Sequence, residues 1–461
     1  MTGLRVRDVA DASGGRLVCG AGGAELAGIC TDSRTLRPGE LFVALPGERY
    51  DGHDFVADAA RRGAVAVIVA RDVRDQLPNG VGLVLVQDTV QALGALAAAH
   101  RRRYDLPIVA VTGSAGKTTT KEMLRHILEH SCPPALVSTG TENNEIGVPL
   151  TLLRLTADHR SAALEFAMRG RGEIAYLTRI ASPTVGVVTN VGTSHLGRLG
   201  SRADIAGAKA ELIVGLDAEG TAVLNADDEF VAHMRDAAPG RVLTFGLRRA
   251  ADVTACDLHS RGWSGTAFLL RGPEQEQAVS LRVPGEHNVY NALAAVTAGL
   301  AVAVPLSESA AALEQFEALN GRGRVLRSAD GFTVIDDTYN ASPASVRAAL
   351  AVMREARTSG RAIVALGDML ELGDTAPDAH RSVGADLAAH GVSIVLSVGE
   401  HAEDIVDGVV AAGGPTQACS FGDKAALLAR LRQELRPGDT VLVKGSRAMG
   451  MEEIVRGLLG D

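Results

Sequence analysis

The chain has 461 residues, of which 46% are hydrophobic and 3% aromatic, and its formal net charge is −9 at pH 7. This length suggests about three domains at ~150 residues each, and the acidic balance without a basic tract argues against a nucleic-acid-binding protein. No apolar run approaches the ~18 residues of a membrane span, and no signal peptide is visible. We therefore expect a cytoplasmic protein. Its five widely spaced cysteines form no C-x-x-C pair and are predicted to be small core residues.

The first predicted domain covers residues 1–105 and has the pattern of an α/β unit. Val65–Val69 is an unbroken β-branched run that is typical of a buried strand. Guanidinium and backbone donors in the predicted loops can grip a diphosphate, and the candidates are Ser33, Arg34 and Arg49. The alternative is that Asp32 and Ser33 only cap a turn, and residue chemistry leaves both interpretations open.

The second predicted domain covers residues 106–318 and opens with a phosphate-binding loop. A strand is predicted over Ile108–Val111, and apolar residues at helical spacing begin at Met123. The Gly-rich turn between them can place backbone N–H groups and a helix N-terminus around phosphate oxygens. Lys117 can then reach the β- and γ-phosphates, and the Thr118 hydroxyl can hold Mg²⁺. The predicted loop consists of Gly113, Ser114, Ala115, Gly116, Lys117, Thr118 and Thr119.

This loop is shorter than the strict G-x-x-x-x-G-K-[ST] pattern, because position 111 is valine. The alternative interpretation is a Gly-rich turn that carries a surface lysine. The flanking strand and helix favour the phosphate loop. A phosphate loop indicates a nucleotide and little more, so the function depends on the rest of the site.

Strand and helix patterns continue beyond the loop and predict a mostly parallel sheet covered by helices. Ligands bind such sheets at the carboxyl ends of the strands, where Glu165 closes one predicted strand and His195 follows another. The carboxylate can take a Mg²⁺ position, and the histidine is either a metal ligand or a structural residue. Lys209 lies on a predicted helix rich in small residues and is, from residue chemistry alone, a solvated lysine. Residues 264–283 alternate like antiparallel strands at the margin of the sheet.

The third predicted domain covers residues 319–461 and repeats the alternation of strand and helix. Its first strand is followed by Asp336-Asp-Thr-Tyr-Asn340 rather than by G-x-G-x-x-G, which disfavours a dinucleotide cofactor. The predicted fold class is therefore α/β in three domains. A central P-loop domain with a mostly parallel sheet lies between an N-terminal α/β substrate domain and a C-terminal Rossmann-like domain.

Motifs in all three segments resemble the ATP-dependent Mur ligase family, and the resemblance covers essentially the whole chain. The shortened phosphate loop is similar to the loop of that family. The other motifs that carry the resemblance are Asp32-Ser-Arg34, Pro38-Gly-Glu-Leu-Phe-Val-Ala-Leu45, Gly47-Glu-Arg-Tyr-Asp-Gly-His-Asp-Phe55, Asn143-Asn-Glu-Ile-Gly-Val-Pro-Leu150, Asp336-Asp-Thr-Tyr-Asn-Ala-Ser-Pro343, Leu366-Gly-Asp-Met-Leu-Glu-Leu-Gly373 and Val443-Lys-Gly-Ser-Arg447.

Within that family, the motifs are most similar to those of the ligase that joins D-alanyl-D-alanine to UDP-N-acetylmuramoyl-tripeptide. The resemblance implies ATP and two Mg²⁺ ions as cofactors, an acyl-phosphate intermediate and a monomeric enzyme of peptidoglycan synthesis. The tripeptide ends in lysine or diaminopimelate, and the sequence leaves that choice open.

The resemblance also implies roles for single residues. Thr118 and Glu165 would bind one Mg²⁺ ion and His195 a second, and Lys209 matches a lysine that is commonly carbamylated in this family. The resemblance implies that Lys117, Glu165, His195 and Lys209 are the catalytic residues. ATP would contact the phosphate loop and Asn288, Asn291, Arg322 and Asp336. The UDP-sugar would contact Ser33, Arg34 and Arg49, and the peptide or acceptor would contact Asn143, Asn144, Asp337, Tyr339 and Asn340.

Two positions depart from the family pattern. Gly197 stands where the family often has an acidic residue, two positions after the histidine. Residues 166–173 read Phe-Ala-Met-Arg-Gly-Arg-Gly-Glu, unlike the Gly- and Asn-bearing version of related ligases.

Other functions remain as alternatives. A sister ligase that adds a single amino acid and a folylpolyglutamate synthase are disfavoured by the motifs at 143–147 and 336–341. A P-loop switch or motor ATPase would require switch loops or a nucleic-acid surface. A UDP-sugar-binding protein without catalysis would leave Lys117, Glu165 and His195 without a role.

Overall fold

The computed structural model describes residues 4–47, 49–140, 142–193, 196–273, 275–356 and 360–460. The described strands form three sheets, which lie within residues 16–85, 108–281 and 324–444. Helices cover the sheets, so the predicted α/β fold class is confirmed. No described helix combines the length and the apolar character that a membrane crossing requires.

The first sheet has the strand order β1-β5-β4-β3-β2, and only the pairing of β1 with β5 is antiparallel among its described strands. The elements of this region are α1 (Val6–Ser13), β1 (Arg16–Cys19), β2 (Gly28–Cys30), β3 (Glu40–Val43), α2 (Val56–Arg61), β4 (Ala66–Val69), β5 (Gly82–Leu85) and α3 (Thr89–Arg101). The predicted strand at 65–69 is confirmed as β4, which is buried on both faces.

The central sheet has the order β14-β13-β12-β11-β10-β9-β6-β8-β7. Its elements are β6 (Ile108–Thr112), α4 (Lys117–Ser131), β7 (Ala135–Val137), α5 (Gly147–Leu152), β8 (Ser161–Glu165), α6 (Glu173–Ala181), β9 (Val185–Val188), α7 (Leu196–Leu199), α8 (Arg202–Val214), β10 (Thr221–Asn225), α9 (Glu229–Ala232), β11 (Arg241–Gly246), β12 (Val253–Ser260), β13 (Thr266–Gly272), β14 (Gln275–Leu281), α10 (Glu286–Ala301) and α11 (Leu306–Leu313). From β7 to β12 neighbouring strands run parallel, and β13 and β14 form the predicted antiparallel margin. Strands β8 and β7 lie on one side of β6, and β9 lies on the other side. The strand order therefore reverses at β6, and such a reversal is the switch point at which parallel sheets bind ligands.

The third sheet has the order β15-β16-β20-β17-β18-β19, and only the β15–β16 pair is antiparallel among the strands described. Its elements are β15 (Arg324–Arg327), β16 (Thr333–Asp337), α12 (Pro343–Ala356), β17 (Ala362–Gly367), α13 (Ala376–Ala389), β18 (Ile394–Val398), α14 (Ala402–Ala412), β19 (Gln417–Phe421), α15 (Lys424–Glu434), β20 (Thr440–Lys444) and α16 (Glu452–Leu459). Short 3₁₀ turns lie at Gly52–Phe55, Arg74–Gln76, His233–Ala237, Gly262–Ser264, Gly373–Thr375 and Arg447–Met449.

The hydrophobic cores explain how these sheets are joined. Side chains of β6 alternate between two clusters, with Ile108 on one face and Val109 on the other, as the two-residue period of a strand requires. The first of these clusters also contains side chains of the first sheet and of α3, so the first two regions share one continuous core. The third sheet has two separate clusters, and Trp263 of the central region packs against one of them.

Two expectations about burial are wrong. Cys132 and Cys419 are exposed and the other three cysteines are half-buried, although all five are free thiols as predicted. Cys132 ends α4 and Cys419 lies on the edge strand β19, and neither position faces a core. Lys209 is only 2% exposed, because the small residues of α8 bring that helix close to the sheet.

Candidate active site

The phosphate loop connects β6 to α4 and is shaped by two glycines. Gly113 and Gly116 have φ angles of 150° and 83°, which favour glycine. A Cβ atom at Gly113 would lie 1.9 Å from Oγ1 of Thr189, and one at Gly116 would lie 2.3 Å from Oδ1 of Asn291. The loop therefore requires glycine at both positions for conformation and for space.

Side chains from the end of β9 hold the loop. The Asn190 amide accepts from the N–H of Ala115 at 2.9 Å and donates to its carbonyl at 3.0 Å, and the Thr189 hydroxyl donates to the same carbonyl at 2.6 Å. The first intrahelical bond of α4 joins Thr120 N to Gly116 O. The N–H groups of residues 117–119 precede that bond and are the donors that a helix N-terminus presents to an anion.

Lys117 is folded over the loop, because its Nζ donates to the carbonyl of Gly113 at 2.9 Å. Burial lowers the pKa of its ammonium, and the carboxylate of Glu165 opposes that shift. Lys117 is half-buried and held against the loop, which favours the phosphate-loop interpretation over a surface lysine. In the same loop, Oγ of Ser114 is buried and has no hydrogen-bond partner within the described residues.

Glu165 ends β8 beside this loop and is 3% exposed. Its Oε1 accepts from Nδ2 of Asn143 at 3.0 Å, whereas its Oε2 is buried and has no hydrogen-bond partner in the part of the chain that the structure describes. A buried carboxylate oxygen without a donor fits a cation such as Mg²⁺. Within the described ranges, no group of three His, Cys, Asp or Glu residues is arranged to hold a metal ion, and His195 lies outside those ranges.

Lys209 projects from α8 toward the same region. Burial holds the pKa of its amine well below the ordinary value, and the positive charge of Lys117 lowers it further. A lowered pKa increases the neutral, nucleophilic fraction of the amine. The solvated-lysine interpretation is therefore wrong, since the tertiary structure removes this side chain from water.

The N-terminus of α10 packs against the phosphate loop. Asn291 lies beside Gly116 and accepts from the Thr120 hydroxyl at 3.4 Å, and its own amide donates to Oδ1 of Asn288 at 3.3 Å. The Tyr290 hydroxyl donates to Asp227 at 2.8 Å, which holds the helix against the end of β10. The two predicted adenine-binding asparagines thus lie at the back of the loop.

The third region reaches the loop through Arg322. Its guanidinium donates to Oγ1 of Thr118 at 3.1 Å and lies 3.8 Å from the ring centroid of Tyr339. Asp336 is buried, and its carboxylate accepts from Gly321 N and from the Thr338 hydroxyl. These bonds fix the backbone that carries Arg322.

Asp337 and Asn340 are held by Lys444, a lysine to which the sequence analysis assigned no role. Lys444, at the end of β20, is 2% exposed and donates to Oδ2 of Asp337 at 2.5 Å and to the Asn340 carbonyl at 2.8 Å. Asp337 and Lys444 are register partners in the β16–β20 ladder. The sequence indicates that Asp337 and Lys444 each lie at the end of a predicted strand. It does not indicate that the two strands are neighbours, which is what brings the side chains together.

Asn144 and Gly197 have structural roles. Oδ1 of Asn144 accepts from the N–H groups of Ile146 and Gly147 at the start of α5. Gly197 lies against the third region, since a Cβ atom there would be 2.9 Å from the N atom of Gly373. The glycine that replaces the acidic residue common in the family at position 197 thus lies where the backbones of two regions are in contact.

The candidate diphosphate residues lie in loops that follow β2 and β3, which are parallel neighbours. Asp32 accepts from the backbone and the guanidinium of Arg34, and these hydrogen bonds lower the pKa of Asp32 to about 2. Asp32 therefore closes this turn with its own side chain, and the diphosphate-binding role of Ser33, Arg34 and Arg49 stays a prediction. Ser33 is buried and Arg49 is exposed.

Comparison with known proteins identifies the class. Three family models match successive parts of the chain: "Mur ligase family, catalytic domain" at residues 25–101, "Mur ligase middle domain" at 111–299 and "Mur ligase, glutamate ligase domain" at 321–447. The chain belongs to the Mur ligase family.

Individual relatives cover nearly the whole chain. The chain is 39% identical to the UDP-N-acetylmuramoyl-tripeptide–D-alanyl-D-alanine ligase of Escherichia coli, over 93% of either protein. It is 34% identical to the crystal structure of MurF from Acinetobacter baumannii, with a TM-score of 0.91 and 99% of both chains covered. The MurF ligase from Thermotoga maritima in complex with ADP is 28% identical, with a TM-score of 0.82 and coverage of 95% of this chain and 97% of that one.

Proposed function

We propose that this protein is the ATP-dependent ligase that joins D-alanyl-D-alanine to UDP-N-acetylmuramoyl-tripeptide. Its product is the UDP-muramoyl-pentapeptide precursor of peptidoglycan, with ADP and phosphate as by-products. The near full-length similarity to ligases of this name supports the proposal. The observation that carries it is the contact between Arg322 and Thr118, because it places an arginine of the third region on the phosphate loop of the second.

Each region has a part in this proposal. Residues 1–105 bind the UDP-sugar, with Ser33, Arg34 and Arg49 near its diphosphate. Residues 106–318 bind ATP, and residues 319–461 close the nucleotide site and receive the acceptor. The enzyme acts as a monomer in the cytoplasm.

ATP binds with its phosphates over the phosphate loop. The N–H groups of residues 117–119 and the Lys117 ammonium bind the β- and γ-phosphates, and the buried Ser114 hydroxyl is a further donor. Asn288 and Asn291 lie toward the adenine. Asp336 lies toward the ribose, and Arg322 lies toward the γ-phosphate.

The proposal includes two Mg²⁺ ions. Thr118 and Glu165 would hold one ion, in agreement with the unpartnered Oε2 of Glu165, and His195 would hold the second with Lys209 as a carbamate. Asn143 orients Glu165 for this role. Bound Mg²⁺ neutralises negative charge on the phosphates.

The reaction proceeds in two steps. The terminal carboxylate of the tripeptide attacks the γ-phosphorus of ATP, which gives an acyl phosphate and ADP. The free amine of D-alanyl-D-alanine then attacks the acyl carbon, and phosphate leaves from a tetrahedral intermediate as the amide forms. Phosphoryl transfer needs mainly alignment and charge stabilisation. Lys117 and Arg322, which both contact the phosphate loop, supply both.

The test is ADP release by the purified protein across a panel of substrates. Donors are UDP-muramoyl-dipeptide and the tripeptides that end in lysine or diaminopimelate; acceptors are D-alanyl-D-alanine, D-alanine, D-glutamate and L-alanyl-L-alanine. We expect turnover only when a tripeptide and D-alanyl-D-alanine are both present. Turnover with a single amino acid would indicate a sister ligase, and turnover with ATP alone a switch ATPase.

A further inference from the structure

The motif Val443-Lys-Gly-Ser-Arg447 has no role in the mechanism above, although it lies at the carboxyl end of the third parallel sheet. Ligands bind at that edge of a doubly wound sheet. Two of its side chains are buried and hydrogen-bonded inside the protein. Lys444 is bound by Asp337 and Asn340, and the Ser446 hydroxyl accepts from the N–H of Leu370 at 2.8 Å.

Arg447 differs from these two residues because 61% of its side chain is exposed. Its Nη1 donates to Oε1 of Glu452 at 2.9 Å. A guanidinium has five N–H donors in a planar fork, so this ion pair leaves donors directed away from Glu452. Arg447 is therefore able to bind a further carboxylate.

Tyr339 connects Arg447 to the reaction site. The guanidinium carbon of Arg447 lies 6.0 Å from the ring centroid of Tyr339, and that of Arg322 lies 3.8 Å from the same centroid. Arg322 also reaches Thr118 on the phosphate loop. Two cations, one on the phosphate loop and one exposed, thus lie near the same aromatic ring.

We propose that Arg447 binds the terminal carboxylate of the acceptor dipeptide. The inference rests on the proposed function and adds the group that recognises its second substrate. The acceptor has an amine that must reach the acyl phosphate and a carboxylate that must be held away from the phosphates. An extended two-residue peptide spans about 7 Å at most, a length of the same order as the distances of the two guanidinium carbons from the shared ring centroid, 3.8 and 6.0 Å. Arginine binds carboxylates bidentately and so fixes their orientation.

The experiment compares D-alanyl-D-alanine with its carboxyl-terminal amide, with ATP and UDP-tripeptide saturating. A hydrogen bond to a charged group contributes about 1.5–3 kcal/mol, so we expect the wild-type kcat/KM to be roughly ten-fold or more higher for the acid than for the amide. In Arg447→Met this ratio should fall close to one, through a raised KM for the acid. Arg447→Lys should keep part of the preference.

Arg430→Met is the matched control, since Arg430 also pairs with a glutamate of the same domain but does not lie on Tyr339. It should keep the wild-type ratio, and the KM for ATP should be unchanged in all variants. A loss of folded protein would lower turnover of the acid and the amide equally, so the ratio is insensitive to it.

An unchanged ratio in Arg447→Met, or a wild-type enzyme that does not distinguish acid from amide, overturns the assignment of Arg447 and leaves the proposed function intact. Absence of any dipeptide-dependent turnover in the wild type overturns both.

Discussion

The guanidinium of Arg322 donates a hydrogen bond to the Thr118 hydroxyl at 3.1 Å, although 204 positions separate the two residues. Thr118 belongs to the first turn of α4, and Arg322 precedes β15 of the third sheet. The third sheet has its own hydrophobic clusters, so polar contacts of this kind join it to the phosphate loop. The nucleotide site is therefore shared between two regions with separate cores.

The first prediction concerns Arg322. Arg322→Met should lower kcat by roughly 10²–10³, the usual effect of removing one donor that stabilises transition-state charge, and Arg322→Lys should restore only part of the rate. Steady-state ADP release measures both. Arg324→Met is the control, because Arg324 is a nearby exposed arginine that contacts Asn320 instead of the loop. Equal losses in Arg322→Met and Arg324→Met would contradict the assignment.

Lys117→Ala should abolish ATP-dependent phosphate release, because the variant lacks the ammonium that lies over the phosphate loop. The fold should remain intact, since the Lys117 Nζ bonds only to one loop carbonyl among the described contacts. Circular dichroism and the thermal midpoint check the fold, and a phosphate-release assay checks the activity. Normal turnover in this variant would remove the loop from the mechanism.

Glu165→Gln should raise the Mg²⁺ concentration that gives half-maximal activity. The amide keeps the shape of the side chain and can still bond to Asn143, but it replaces the unpartnered Oε2 by a weaker ligand or a donor. A magnesium titration of the initial rate at fixed ATP measures the shift. Glu142→Gln is a comparison variant, because Glu142 is already bound by Thr139 and Arg154. An identical magnesium dependence in Glu165→Gln and the wild type would refute the metal-binding role.

Gly197→Ala should weaken the contact between the second and third regions, because the new Cβ would lie 2.9 Å from Gly373 N. Overpacking costs about 1–3 kcal/mol, so kcat/KM should fall about five-fold or more. Trp263 is the only tryptophan and packs against the third core, so its fluorescence reports on this contact when ATP and UDP-tripeptide are added. Gly207→Ala is the control, since its Cβ would meet nothing closer than 3.9 Å. A wild-type response and rate in Gly197→Ala would exclude this contact from domain closure.

His380 should make stability pH-dependent. Its Nε2 accepts from Met369 N–H and its Nδ1 donates to the Ala376 carbonyl, and burial lowers its pKa below 6.5. Between the lowered pKa and 6.5 the unfolded chain binds more protons, so the free energy of unfolding falls as the pH falls through this window, by at most about 1.4 kcal/mol per pH unit. His380→Gln should flatten the slope in denaturant titrations at several pH values. Equal slopes in wild type and His380→Gln would disprove the role.

Local sequence patterns predicted the helices and strands whose formation depends mainly on residues adjacent in the chain. The β-branched run at 108–111, the glycines of the loop and the helical spacing that begins at Met123 predicted β6 and α4 directly, since backbone dihedrals and side-chain period depend on a few consecutive residues. Glu165 was found in the same way, as the last residue of a strand. The function itself came from motif resemblance rather than from period or composition.

Only the tertiary structure decided which side chains distant in sequence are in contact and which side chains are buried. Residue chemistry placed Lys209 in solvent, but the packing of α8 buries it. Asn190 binds Ala115, and Lys444 binds Asp337, because the strand order brings the ends of β9 and β20 beside their partners. Such contacts depend on sheet order and on the docking of regions, which periodicity in a single chain does not encode. The sequence by itself therefore determined the elements and the phosphate loop, and the packing of three sheets determined the site around them.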